Sequence, residues 1–295
     1  MLKRRFCILL SLLLVFSLLA CDPVKDDVSG ESGDISGVIQ SELTVRFLNV
    51  GQGDCTLLTL PDGGFVLIDA GVYTNKKAVT NYLEKYGVET IEYMVLTHFD
   101  ADHIGVAAEV IEAFEVKNVI MPDTVATTAT YDNLLTSLEN HEEIKVIKGE
   151  AGYTFLTGIV KFEILSPFET EGKSSNQCSV VMLMSYKNIK MLFMGDAEKP
   201  NETEMLNNYT PMKLRADIIK LGHHGSASSG SKDFLEAVAP KYGVISCGKD
   251  NSYKHPAEET INTLEELNIT YFRTDLHGTV TVKTDGKNLN IHTEG

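Results

Sequence analysis

The 295-residue chain is predicted to contain one α/β domain in which two β-sheets pack on each other with helices outside. Three observations carry this. Strand-like runs come in bunches separated by helical segments, and several of those strands stop at His or Asp residues. The stretch from Leu43 onward, in a chain that is 43% hydrophobic and 23% charged, is also long enough to bury one large core. No repeat at fixed period and no second domain is visible.

Leu43 to Val50, Thr56 to Leu60 and Phe65 to Ile68 read as strands, the last two divided by the turn signal Pro61-Asp62-Gly63-Gly64. Asn75 to Tyr86 places Val79, Tyr82 and Leu83 at helical spacing and closes at Gly87. Tyr93 to Leu96 is a continuous apolar strand that runs into Thr97-His98-Phe99-Asp100-Ala101-Asp102-His103, with helix expected from Ile104. Strands then follow at Val119 to Met121, Ile144 to Ile147, Val160 to Leu165, Ser179 to Met184 and Lys190 to Met194, with a helix over Tyr131 to Leu138. A helix near Glu202 to Asn208, a strand at Asp217 to Leu221 and another at Tyr242 to Cys247 complete the series. Strand ends thus deposit His98 to His103, Asp196, His223-His224 and His255, the usual place for a site in an open α/β sheet.

The beginning of the chain is an address. Lys3, Arg4 and Arg5 precede an apolar stretch from Phe6 to Leu19, too short for a comfortable membrane span and built like a secretory signal. It ends in Leu18-Leu19-Ala20-Cys21, which resembles the bacterial lipobox, so Cys21 is the expected lipidation site. An ordinary cleaved signal and a short uncleaved anchor are the alternatives, and export follows from all three. Residues 1–20 are accordingly read as signal peptide and 21–42 as a lipidated flexible tether rich in Ser, Gly and acid. Residues 43–295 are read as the folded domain, on the extracellular or periplasmic side of a membrane.

Of five cysteines, Cys55, Cys178 and Cys247 remain after the leader and the anchor. Their odd number and wide spacing exclude a disulfide framework and a thiolate zinc site and suit small buried residues. Net charge is −15, falling to −18 once Lys3, Arg4 and Arg5 leave. No Lys/Arg run could track a nucleic-acid backbone, so a polyanionic substrate would be held mainly by metal.

Five of the eight histidines fall in the clusters at the strand ends. Imidazole nitrogens and carboxylate oxygens converging from several segments are what zinc, or manganese with more oxygen ligands, requires. His98, Asp100, Asp102 and His103 offer four such ligands within six residues.

The series His98-x-Asp100-x-Asp102-His103 resembles the His-x-His-x-Asp-His signature of the metallo-β-lactamase superfamily, with Asp100 in place of the second histidine. Asp69 in Leu67-Ile68-Asp69-Ala70-Gly71, then Gly195-Asp196, His223-His224-Gly225-Ser226 and His255-Pro256 follow in the family's order. With Asn49-Val-Gly-Gln-Gly-Asp54 and Asn251-x-Tyr253-x-His255-Pro256, they resemble the hydrolase domain of ComEC-type DNA-uptake proteins over Leu43 to Val282. The resemblance implies a four-layer αββα fold and two divalent metal ions, Zn2+ or Mn2+. It assigns His98 and Asp100 to the first ion, Asp102 and His103 to the second, and Asp196 to both.

Asp69 is expected to orient a ligand rather than to be one. Of His223 and His224 only one is expected to bind metal, and His223 is favoured because it is nearer the strand end. His255 is expected at the site, the alternative being a cap on a helix starting at Pro256. Between the main motif and Asp196 the family's third histidine on the first ion is missing, and Ser174-Ser175-Asn176-Gln177-Cys178-Ser179 stands there. The resemblance suggests an Asn176 amide oxygen in its stead. His224, Ser226 and Asn251 join Asp69 and Asn176 as residues that support ligands or touch substrate.

The implied activity is hydrolysis by a hydroxide held between two ions, with Asp102, Asp196 and His255 as catalytic residues and a phosphodiester, such as extracellular nucleic acid, as substrate. Hydrolysis of a lactone, lactam or thioester on the same core is one alternative. A metal-stabilised lipoprotein that only binds a partner is another.

Overall fold

The structure, a computed structural model, describes residues 42–295; the signal, Cys21 and all but the last residue of the tether lie outside the described residues. The chain opens with the meander β1 (Leu43–Phe47), β2 (Thr56–Thr59) and β3 (Phe65–Ile68). It continues through α1 (Lys76–Lys85), β4 (Thr90–Ile91), β5 (Tyr93–Val95), α2 (Ala101–Ile104) and α3 (Ala107–Ala113). Next come β6 (Glu115–Val116), β7 (Asn118–Met121), α4 (Ala129–Asn140) and β8 (Lys145–Lys148).

The second half repeats this plan. A meander of β9 (Thr154–Thr157), β10 (Val160–Ser166), β11 (Val181–Tyr186) and β12 (Ile189–Phe193) leads to α5 (Lys199–Asn208), α6 (Pro211–Leu214) and β13 (Ile218–Lys220). Then follow α7 (Lys232–Val238), β14 (Tyr242–Ile245), α8 (Glu258–Glu266), β15 (Thr270–Arg273) and α9 (Thr274–His277). The final hairpin, β16 (Val280–Thr284) and β17 (Leu289–Thr293), returns to the first half.

One sheet has the order β17-β16-β1-β2-β3-β5-β7-β8 and the other β15-β14-β13-β12-β11-β10-β9, while β4 and β6 form a small pair. In each large sheet the meander is antiparallel and the strands joined through helices are parallel. Because successive strand residues point to opposite faces, each sheet feeds two cores. Leu58, Met184 and Phe193 meet Phe47 and Phe162 between the sheets. Their neighbours turn outward: Leu57 packs with Val79 and Leu83 of α1 and Leu134 of α4, whereas Leu183 and Leu192 pack with Met205 of α5 and Phe234 of α7. Strands buried on both faces read as unbroken apolar runs, which is why they were visible in the sequence. The result is four layers, helix on sheet on sheet on helix.

Several elements differ from the sequence reading, which had no counterpart for β4, β6, β9, α6, α7, α8, β15, α9 or the final hairpin. Helix starts at Ala101 rather than Ile104, so Asp102 and His103 sit on a helical turn. Gly105 ends α2 where the chain is too crowded for a side chain: a Cβ there would lie 2.4 Å from the Ala101 carbonyl oxygen and 2.4 Å from the Tyr73 nitrogen. The β16–β17 hairpin was not foreseen although Val280, Val282, Leu289 and Ile291 alternate with polar residues as strand residues do. Cys55, Cys178 and Cys247 are free and buried. No helix among the described residues is long and apolar enough to cross a membrane.

Candidate metal centre

The site lies at the carboxyl ends of parallel strands in both sheets. Asp69 follows β3, His98 follows β5, Asp196 follows β12, His223 and His224 follow β13, and His255 lies in the loop after β14. Several of these residues hold backbone conformations that a side chain disfavours: Asp69 has φ 57°, His223 φ 48° and His224 φ 52°. Such positions cost on the order of 1–3 kcal/mol each and persist only where the surroundings impose them. Gly195, φ 53°, lets the chain turn beside Thr97; a Cβ there would come within 2.7 Å of the Thr97 Cβ.

A buried network fixes the imidazoles. Asp69 Oδ1 accepts the Thr97 amide at 2.8 Å, and Asp69 Oδ2 accepts the Thr97 hydroxyl at 2.8 Å and faces His103 Nδ1 at 2.8 Å. With its proton given to Asp69, the Thr97 oxygen can accept from His98 Nδ1, 3.1 Å away. His224 Nδ1 lies 2.9 Å from the Ser246 carbonyl oxygen and 3.3 Å from Asp54 Oδ1. Asp54 is in turn paired with the buried ammonium of Lys220, Oδ2 to Nζ 2.6 Å. These partners favour a proton on Nδ1 and point Nε2 of His98, His103 and His224 inward.

The inward atoms converge on Asp196. His103 Nε2 stands 3.2 Å from Asp196 Oδ1, and His224 Nε2 is 3.5 Å, His223 Nε2 3.8 Å and His98 Nε2 3.9 Å from Oδ2. His98 Nε2, His103 Nε2 and Asp196 Oδ1 are buried and make no hydrogen bond among the described residues. Asp102 Oδ2 lies 3.2 Å from His224 Nε2, and Asp100 Oδ2 lies 3.7 Å from His98 Nε2. Buried polar atoms without partners are costly unless something charged is held between them. Imidazole nitrogens and carboxylate oxygens at these separations fit divalent metal ions.

The charges reinforce one another. Burial disfavours the Asp196 carboxylate, yet His103, His224 and His98 hold its carboxyl well below the usual range. Burial likewise opposes charge on His224, but Asp196, Asp102 and Asp54 outweigh it and push the imidazole up to about 10. His103 is held well above its ordinary value by Asp196 and Asp69 against the same penalty. The His98 imidazole facing Asp100 across 3.7 Å is the main influence that takes its carboxyl down to about 2. His255 goes the other way: burial, then the neighbouring His223 and His224, lower it.

The structure brings His98, Asp100, Asp102, His103, Asp196, His223 and His224 together around this point. Of the adjacent histidines, His223 was favoured as ligand. His224 is the one that shares a buried group with Asp54, His103 and Asp196, whose ligand atoms all lie within 4.8 Å of one another. Both residues have left-handed backbone, so their side chains diverge: His224 tucks beneath Ser246, and His223 turns toward Ser228, with Nδ1 3.0 Å from its hydroxyl. Asn176 sits beside His223, its amide nitrogen 3.4 Å from each ring nitrogen. The His255 ring is 5.4 Å from that of His223, and α8 begins only at Glu258, so His255 caps no helix. Ser226 bonds Ser228 rather than a ligand, and Asn251 ties its own loop. Sequence reasoning gave no role to Thr97, Asp54 or Lys220. Asp54 had been quoted only as part of a motif, and nothing local marks a lone Thr or Lys as a support.

A family model described as the metallo-beta-lactamase superfamily matches residues 48–249. ComE operon protein 3 of Bacillus subtilis is 30% identical over 82% of this chain and 33% of its own length. Competence protein ComA of Neisseria gonorrhoeae is 29% identical over 82% of this chain and 32% of its own. Recombination protein 2 of Haemophilus influenzae is 28% identical over 81% and 28%. The chain therefore spans about a third or less of these curated relatives. Among solved structures, the metallo-beta-lactamase fold protein YhfI of Bacillus subtilis superposes with TM-score 0.55 at 10% identity, covering 82% of this chain and 99% of that one. A diphosphatase of the PhnP family gives TM-score 0.50 at 14% identity, covering 82% and 97%. Those likenesses show the fold. With the matched family model and an Asp/His cluster suited to divalent metal, the chain belongs to the metallo-β-lactamase superfamily of hydrolases.

Proposed function

We propose that the protein is an exported, nuclease-like phosphodiesterase that works with two divalent metal ions, Zn2+ or Mn2+. The observation that carries this is the convergence of unpartnered imidazole nitrogens on Asp196, flanked by Asp100 and Asp102. His98, Asp100 and His223 would hold one ion and Asp102, His103 and His224 the other, with Asp196 shared. Bound there, the ions would lower the pKa of a water and neutralise charge developing on a phosphoryl oxygen. Asp69 and Thr97 keep His103 and His98 in the tautomers the ions need, and Asp54 with Ser246 does the same for His224. His255, whose imidazole burial and the neighbouring His223 and His224 hold below its ordinary value, would orient the leaving group.

The substrate class rests on the likeness to competence proteins. Export and attachment through Cys21 rest on the leader sequence, and the membrane is the expected partner on that side. The test is hydrolysis of bis(p-nitrophenyl) phosphate and single-stranded DNA after chelation, then with manganese or zinc restored. Metal-restored turnover that Asp102→Ala abolishes supports the reading. No turnover by protein shown to hold metal overturns it and moves the search to carbonyl substrates.

A further inference from the structure

Tyr253 is an aromatic residue that the fold does not use. It is 67% exposed, and its hydroxyl makes no hydrogen bond among the described residues. Its ring nevertheless has a defined place, lying 5.8 Å from that of His255 and nearly parallel to it at 11°. His255 in turn stands 5.4 Å from His223 and 6.4 Å from His224, ring to ring. Tyr253 therefore continues the row of rings that starts at the metal centre. One face rests on His255 and the other is open.

The loop that carries it is built to be rigid. Asn251 Nδ2 donates to the carbonyl oxygens of Gly248 at 2.9 Å and His255 at 2.7 Å, and Asn251 Oδ1 accepts the His255 amide at 3.0 Å. The Lys254 amide donates back to the Asn251 carbonyl oxygen at 3.1 Å. Gly248 N donates to Gln52 Oε1 at 3.0 Å, which anchors the loop to the first half of the domain. Asp250, φ 53°, and Lys254, φ 59°, are both held in left-handed backbone, which residues with a Cβ avoid. Such enforced conformations at a site mark a segment whose presentation matters more than its own comfort.

We infer that Tyr253 is a stacking platform for a nucleobase, and that the polymer cleaved at this site is single-stranded nucleic acid. The inference rests on the phosphodiesterase reading. An exposed aromatic face fixed beside a phosphate-directed centre suits a base, and it does so without regard to sequence because every base has a π-face. Bases in a duplex are already stacked on both faces, so an unpaired strand is required. Lys249 and Lys254 stand on either side of Tyr253 in the sequence of this loop, are exposed and have no carboxylate partner among the described residues, and Asp250 is the one acid between them, in a chain of net charge −15. Two lysines against one aspartate leave the loop with a net positive charge for the strand's backbone.

The experiment compares kcat and KM of the full chain, loaded with manganese, on oligothymidylate and on an abasic deoxyribose-phosphate oligomer of equal length. Wild type, Tyr253→Ala and Tyr253→Phe are measured side by side. The expected result is that wild type favours oligothymidylate through KM, that Tyr253→Ala reduces this preference about fivefold to tenfold, and that Tyr253→Phe restores it. A preference unchanged in Tyr253→Ala, while wild type cleaves both oligomers, overturns the platform and leaves the phosphodiesterase standing. Failure of wild type to cleave either oligomer or bis(p-nitrophenyl) phosphate removes both.

Discussion

His103 Nδ1 and Asp69 Oδ2 stand 2.8 Å apart with both side chains out of solvent, and this contact fixes which nitrogen of His103 faces Asp196. Asp69 thus acts on the centre through the ring rather than by reaching it. Asp69→Asn keeps the volume but replaces an acceptor of the Nδ1 proton. Metal affinity is expected to fall about 10- to 100-fold. Competition with a chromogenic chelator measures it, and equal affinity in variant and wild type would show that the ring needs no such support.

Lys220 and Asp54 are each almost fully buried and paired at 2.6 Å. Burial opposes ionisation of Asp54, and Lys220 and then His224 override it, which keeps the carboxyl below its ordinary range. Lys220→Met removes the counter-charge and leaves the carboxylate stranded. The expected cost is about 3–5 kcal/mol in urea unfolding at neutral pH. Adding Asp54→Asn should recover part of the loss, and a double variant no more stable than the single one would argue against a charge-pair origin.

Gly195 and Gly87 both have positive φ, 53° and 72°, but only Gly195 is crowded, since a Cβ at Gly87 meets nothing within 4 Å. Gly87→Ala should cost about 1–2 kcal/mol from backbone strain alone. Gly195→Ala carries that strain and a clash with Thr97, so it should destabilise further and lower turnover by displacing Asp196. Thermal melts of the two variants with activity assays decide the point; equal melting temperatures and full activity would contradict the geometry.

Metal should stabilise the folded chain by mass action, about 2.7 kcal/mol when free metal is 100-fold over Kd. Chelation is therefore expected to lower the melting temperature of wild type. Asp102→Ala should melt at a temperature that responds far less to added metal while remaining folded. An equal response in both would remove Asp102 from the ligand set.

The β16–β17 turn gives a pH dependence independent of the centre. Asp285 Oδ1 accepts the amides of Lys287 at 2.8 Å and Asn288 at 2.7 Å, and hydrogen bonds from Asn288, then Lys287, lower its carboxyl to about 2. An unfolded aspartate titrates near ~3.9. Because the folded value is the lower, this contribution is complete above the unfolded value and is lost as pH falls from there through about 2. A carboxyl-carbon NMR titration should find the folded midpoint near the lower figure; one at the ordinary value would refute the turn's role.

The sequence by itself determined a good deal. Strands buried on both faces announced themselves as apolar runs, so the paired sheets and the strand ends that bear ligands were legible in the sequence. His98 to His103 could be read as a site because its ligands are close in the chain. Tertiary structure decided what depends on distant segments meeting. Strand β16 pairs with β1, Val282 opposite Val45, across nearly the whole chain, and no local pattern specifies that register. Asp54 and Lys220 form their ion pair across 166 positions because β13 ends beside the loop that follows β1. The placing of His223 and His224 is of the same kind. Both have the same chemistry and adjacent places in sequence, and only the left-handed backbone at both positions lets His224 Nδ1 reach the Ser246 carbonyl oxygen and His223 Nδ1 the Ser228 hydroxyl while both Nε2 atoms face Asp196.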